Sequence, residues 1–139
     1  NAHGGNDFKP ILRELQPQTS LFLSYVNWWT VLDARRYFDE PGDHAGALET
    51  SVMMHLAPGQ VRPLDVAGRG AARRFRIAAL REGWAWAQRD WPSVTDDTGV
   101  GDPAGSTAAH GERFVREAAE RIAGFLTELA AADPAALYE

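Results

Sequence analysis

The sequence predicts a layered α/β domain, and three observations carry that prediction. SLFLSYVNWW (Ser20–Trp29) has the length of a strand, is rich in aromatic and branched residues, and is almost continuously apolar, as expected of a central strand covered on both faces. Near the other end of the chain, Phe114, Ala118, Ile122, Phe125 and Leu129 recur at helical spacing. Taken in order, the segments run helix, strand, helix, mixed, helix, which is the pattern of α/β layering.

Each element has its own signals. Asn6 is placed as the N-cap of a helix over about Asp7–Leu15, with Pro10 near its first turn and Pro17 ending it. The Ser20–Trp29 strand follows, then a loop containing Asp39, Glu40, Pro41, Gly42 and Asp43. Ala47–Ala57 is predicted to be a short helix stopped by Pro58 and Gly59. Arg74–Glu82 fits a strand or a helix. GWAWAQRDW, with Trp84, Trp86 and later Trp91 set among small and polar residues, reads as extended. Thr95–Ser106 is a loop by composition. Ser106 is expected to cap a long helix to about Ala131, ended by Asp133 and Pro134.

The chain has 139 residues, the size of one ordinary domain, and its 45% hydrophobic and 24% charged residues are a globular composition. A net charge of −5 argues against a broad nucleic-acid surface. The local cluster Arg69, Arg73, Arg74 and Arg76 reads as a solvated face or an oligomer contact. The absence of cysteine removes disulfide and thiolate chemistry. No apolar run reaches the roughly 20 residues that span a bilayer, and no signal peptide is visible, so a cytoplasmic protein is expected. The chain opens without Met and inside what reads as a functional loop. Residues 1–139 are therefore expected to be a single incomplete domain, the C-terminal portion of a larger protein.

Three residues stand out chemically. Glu49 lies among Leu48, Val52, Met53 and Leu56, in a helix apolar nearly all round and therefore expected to be buried. A buried, unpaired carboxylate costs several kcal/mol, on the order of an isolated charge in an apolar medium. Glu49 is thus expected to face a metal or one of the thirteen arginines. His44 precedes the helix. Within the helix it would sit about 140° around from Glu49, but from the loop its ring converges on the same pocket; the alternative is a surface histidine. His3 lies between Ala2 and the Gly4–Gly5 pair, which leave its imidazole unobstructed. NAHGGN lacks the spacing of dinucleotide and phosphate loops, so a metal-binding or catalytic histidine ranks above a nucleotide site. His55 is expected to be structural and His110 solvated.

These stretches also carry a resemblance. NAHGGN resembles the NGHGGN motif of the creatininase (creatinine amidohydrolase) family, GDHAGALETS resembles its D-H-A-G-x-x-E-T-S motif, and GDPAGSTAAHGE resembles its G-D-P-x-x-A-T-x-x-K-G motif, all in the family's order. The resemblance implies an α/β/α sandwich on a mostly parallel sheet, commonly assembled as homo-hexamers, of which this chain would be the C-terminal portion. It implies hydrolysis of a non-peptide or cyclic amide C–N bond in a small-molecule substrate, with one or two divalent metal ions, zinc first and manganese or iron as alternatives. Carried over by motif, His3 is implied as a metal ligand, His44 as a catalytic proton shuttle, and Glu49 as an active-site acid. Separately, its expected burial and the glycine at position 5 make Glu49 the expected metal ligand beside His3, the alternative being a second metal that is weak or absent.

Two departures qualify the match. Gly5 stands where creatininase proper has a glutamate ligand to a second metal, which points away from creatinine itself as substrate. The family's upstream E-x-H-G-x-H-L-P region is not in this chain, and one histidine with one carboxylate does not close a metal site, which needs three or four ligands. The function expected is a metal-dependent amidohydrolase. The alternative is a non-catalytic fragment or degenerate homologue acting as an oligomer-forming or binding module.

Overall fold

A computed structural model describes all residues 1–139. Five α-helices form: α1 (Lys9–Leu15), α2 (Ala47–Leu56), α3 (Ala78–Glu82), α4 (Trp91–Val94) and α5 (Ala108–Ala131). Short 3₁₀ turns at Gln16–Gln18, Trp28–Thr30, Ala34–Arg36, Pro58–Gln60 and Leu64–Val66 link them. The chain divides into two compact units, one of residues 1–33 with 116–139 and the other of residues 34–115.

There is no sheet, and this corrects the α/β prediction and the α/β/α sandwich with a mostly parallel sheet. Helix makes up 47% of the chain and strand 1%, the latter being a single antiparallel bridge between His44 and Val100. The segment read as a central strand has no regular structure over residues 22–27 and no strand beside it. The Gln16 amide takes the place of one rung of a ladder: its Nε2 donates to the Leu21 carbonyl at 2.6 Å and its Oε1 accepts from the Leu23 N–H at 2.8 Å. The Asn1 ammonium donates to the Val26 carbonyl at 2.7 Å. Leu21 and Phe22 are 68% and 45% exposed, far from the two-sided cover expected. Apolar composition records a wish for burial, but a strand also needs a neighbour to bond with.

The helices follow local rules more closely. α1 starts two residues later than expected. Asn6 does not cap it; Asp7 Oδ1 accepts from the Lys9 N–H at 3.0 Å, and Pro10 sits in the first turn. α2 runs over almost the predicted range and ends before Pro58. It buries one face only, through Ala47, Leu48, Ser51 and Val52, while Met53 and Leu56 are exposed, so it is not the fully buried helix expected. In the ambiguous Arg74–Glu82 stretch only Ala78–Glu82 is helical, ended by Gly83 in the left-handed region at φ 85°. α5 is capped by Thr107 rather than Ser106: Thr107 Oγ1 accepts from the His110 N–H at 3.1 Å. Ser106 is buried and its hydroxyl donates to the Ala47 carbonyl at 3.4 Å.

In the unit of residues 34–115 the core forms where α2 meets the start of α5. Phe114 is fully buried, edge-on to Tyr37 with ring centres 5.2 Å apart and tilted against Phe38 at 6.2 Å. His110 is exposed on its helix, as expected, yet its ring packs edge-on to Phe38 at 5.9 Å. The Ser51 hydroxyl, fully buried, accepts from the Thr107 N–H at 3.1 Å. The two helices approach at Gly111, where an added methyl would fall 1.9 Å from the Ser51 carbonyl oxygen. Helix propensity favours alanine over glycine by about 1 kcal/mol, but this clash is with backbone and cannot be relieved by a rotamer. Gly111→Ala is therefore expected to destabilise by about 1–3 kcal/mol, the usual cost of overpacking, measured by denaturant unfolding. A gain in stability would show that the helices do not meet there.

Candidate functional site

The site begins with the loop before α2. Pro41, Gly42, Asp43, His44, Ala45 and Gly46 turn sharply onto the helix. The N–H groups of Asp43 and His44 both donate to the Val100 carbonyl, at 2.7 and 3.1 Å, and the Val100 N–H returns a bond to His44 at 2.8 Å. This fastens the second sequence motif to the third. Glycine makes the approach possible: Gly101 has φ 117°, and a methyl on it would fall 2.4 Å from the Gly42 Cα. A methyl on Gly42 would in turn meet the Gly46 Cα at 2.7 Å.

Ala45 carries the turn at φ 50°, a left-handed conformation uncommon for a residue with a Cβ. Such backbone persists only when its surroundings over-determine it. Here the Ala45 N–H donates to Glu49 Oε2 at 2.7 Å, and the Ala45 carbonyl accepts from the Thr50 hydroxyl at 3.2 Å.

Glu49 is thereby placed differently from the sequence expectation. It is the third residue of α2, and its side chain is 42% exposed. Its carboxylate reaches back past the N-cap Gly46 to the Ala45 N–H, one residue before the N–H that a capping box uses, and a negative charge in the first turn suits the positive end of the helix. The charge thus has a partner without burial, and no arginine clasps it. His44 is the residue it faces. His44 Nδ1 lies 4.0 Å from Glu49 Oε2, with the imidazole side chain 37% exposed. That separation is too long for a direct hydrogen bond.

Two further residues complete the surroundings, and the sequence reading missed both. Trp91, the first residue of α4, packs its ring 4.9 Å from the His44 ring. The Arg89 guanidinium lies 4.7 Å from the centre of the Trp91 ring and forms an ion pair with Asp43, the residue preceding His44. Pro92 directly after Trp91 was the available signal for a helix start there. Imidazole, carboxylate, indole and guanidinium thus meet on one face of the 34–115 unit.

His3 belongs to the other unit. It is exposed, in a turn closed by Asn6 N–H to the His3 carbonyl at 3.1 Å and held by the Asn1 side chain. Its Nδ1 accepts from the Gly5 N–H at 2.9 Å, which leaves the proton on Nε2. Metal ligation through either nitrogen would require breaking that bond or moving the proton. No group of three or more His, Asp or Glu side chains converges. The donors in this chain therefore do not by themselves fit a closed metal site. Of the three candidates, the structure brings His44 and Glu49 together. His55 is exposed.

Residues 1–126 match the family model described as creatininase, creatinine amidohydrolase. Among solved structures, that of a Bacteroides fragilis NCTC 9343 protein assigned as a creatinine amidohydrolase is similar, with a TM-score of 0.87 and 44% sequence identity over 99% of this chain and 53% of that one. The chain thus spans about half the length of that protein. No curated protein matches it. No helix is long and apolar enough to cross a membrane.

Proposed function

This chain belongs to the creatininase family, and from that premise we propose that it works as an amidohydrolase on C–N bonds other than ordinary peptide bonds, with His44 transferring the proton and Glu49 positioning His44. The observation that carries this reading is the convergence of His44 and Glu49 across the Ala45 turn, 4.0 Å apart and braced by Trp91. Hydrolysis of an amide adds water at the carbonyl carbon and expels the nitrogen, which leaves poorly unless it is protonated. An imidazole titrates near neutrality and suits that transfer. With Nδ1 turned to Glu49, His44 Nε2 is the nitrogen that meets the substrate. Trp91 packs against the ring and Glu49 faces its Nδ1 edge.

A divalent metal ion, zinc ahead of manganese or iron, is implied by the family resemblance and would supply Lewis-acid polarisation of the carbonyl or of water. We assign Glu49 as this chain's candidate donor; His3, implied as a ligand by its motif, belongs to the other unit and has its Nδ1 engaged by the Gly5 N–H. Glu49 Oε2 is engaged with Ala45, which leaves Oε1 for a cation. Glu49→Gln separates the two roles. Turnover of simple formamides and cyclic amides is expected to fall about 10–100-fold, as when the carboxylate partner of a histidine is lost. Metal analysis of the same variant distinguishes the cause: a marked loss of bound metal makes Glu49 a ligand, and full retention leaves it the positioning role. Undiminished turnover would remove Glu49 from the site.

A further inference from the structure

Arg73, Arg74, Arg76, Arg81 and Arg89, together with Phe75, line one open cavity of ≈ 470 Å³ in the 34–115 unit. The proposed chemistry uses none of them, and Arg73, Arg74 and Arg76 are exposed. Their partners differ. Arg73 is paired with Asp96 at 2.6 Å, and Arg89 with Asp43. Arg81 donates to the main-chain carbonyls of Phe75 and Arg76, each at 3.4 Å, so its charge is not neutralised. Arg74 and Arg76 have no acidic partner. The one acid in the cavity wall is Asp90, whose Oδ2 accepts from the Ser93 hydroxyl at 2.5 Å.

A local excess of positive charge is thus concentrated in a concavity of a protein whose net charge is −5. Like charges gathered in a cleft focus the field and draw in a counter-ion. Guanidinium groups present paired donors that match the two oxygens of a carboxylate or phosphate. The volume is that of a small-molecule site, and Phe75, Leu80 and Val94 offer apolar surface to the body of an organic ligand. The cavity also adjoins the chemistry: Arg89 lines it, lies over Trp91, and pairs with the residue before His44.

We infer that this cavity is a subsite for the oxyanion, carboxylate or phosphate, of a small organic ligand. Resting on the amidohydrolase reading, that ligand is the amide substrate, so the enzyme prefers amides that also carry an acid group. The test is calorimetric titration of the protein with benzoate and with phenyl phosphate, benzyl alcohol serving as the neutral control. At least one anion is expected to bind and the alcohol not to. Arg74→Gln and Arg76→Gln should each weaken anion binding about tenfold, and the double variant about 100-fold, as loss of charge-assisted bonds requires. Added salt should weaken it too. The tighter of the two anions identifies the oxyanion. Both substitutions are on exposed side chains, and circular dichroism of the double variant checks that it is folded. Failure of both anions to bind, equal binding of the alcohol, or unchanged affinity in the folded double variant would overturn the subsite. The two readings fail separately. Arginine-dependent anion binding without any amide turnover leaves the subsite and removes the amidohydrolase. His44-dependent turnover with the same KM for acidic and neutral amides, in wild type and double variant alike, removes the subsite alone.

Discussion

His44→Ala is expected to lower amide turnover by about 10²–10⁴-fold, the usual worth of a positioned general acid–base group. The geometry makes this the largest functional loss in the chain. His44 is the one imidazole in the 34–115 unit that has a carboxylate facing one nitrogen and its other nitrogen unengaged. The variant should fold. The main-chain bonds of residue 44 to Val100 do not depend on the side chain, and the Ala45–Glu49 bond survives. Its unfolding midpoint should stay close to wild type, losing only the packing of the ring against Trp91. Turnover and stability measured on one preparation therefore separate the explanations. Unchanged turnover would make His44 a loop histidine and end the proton-transfer assignment, while an equal fall in turnover and in folded fraction would make its role structural.

Phe114→Ala should produce the largest loss of stability, about 3–5 kcal/mol, the range for emptying a buried phenylalanine site. Phe114 is wholly inaccessible to solvent, and its neighbours have little freedom to collapse into the space. Tyr37 is held edge-on to it and covered on the ring by the Arg113 guanidinium at 5.0 Å, and Phe38 is braced by His110. Against a total stability of about 5–15 kcal/mol for an ordinary domain, such a loss lowers the melting temperature by roughly ten degrees or more. Phe114→Leu, which keeps most of the volume, should cost far less. A loss below about 1 kcal/mol for the alanine variant would show that this cluster is not what holds α5 to α2.

What was legible in the sequence was the local part. The apolar period of 114–129 and the proline after Ala57 marked α5 and α2 because helical bonds close within four residues, so the deciding information is adjacent in the chain. The strand failed for the converse reason. Ser20–Trp29 has strand composition, but a ladder is made with a distant segment, and here Gln16 and Asn1 meet the carbonyls of Leu21 and Val26 instead. Glu49 was read by its apolar neighbours, and these suggested burial. Its place three residues into a helix, just after Gly46, held the better explanation. His44 lies in the loop before α2, 4.0 Å from Glu49, a placement the sequence offered as one of two alternatives. Trp91 and Arg89 were not foreseen, because nothing adjacent in the chain ties α4 to a loop more than forty residues upstream.

The packing of Gly42, Gly46 and Gly101 against one another bears on how this protein can change over time. Substitutions in a core are commonly rescued by a second one nearby, a larger residue offset by a smaller. Here each would-be side chain meets main chain, and the opposing residue already has nothing to give up. No compensating exchange exists within the trio. Drift in the loop that carries His44 is thereby confined to the positions between the glycines, and the geometry of the His44–Glu49 pair is inherited whole or lost whole.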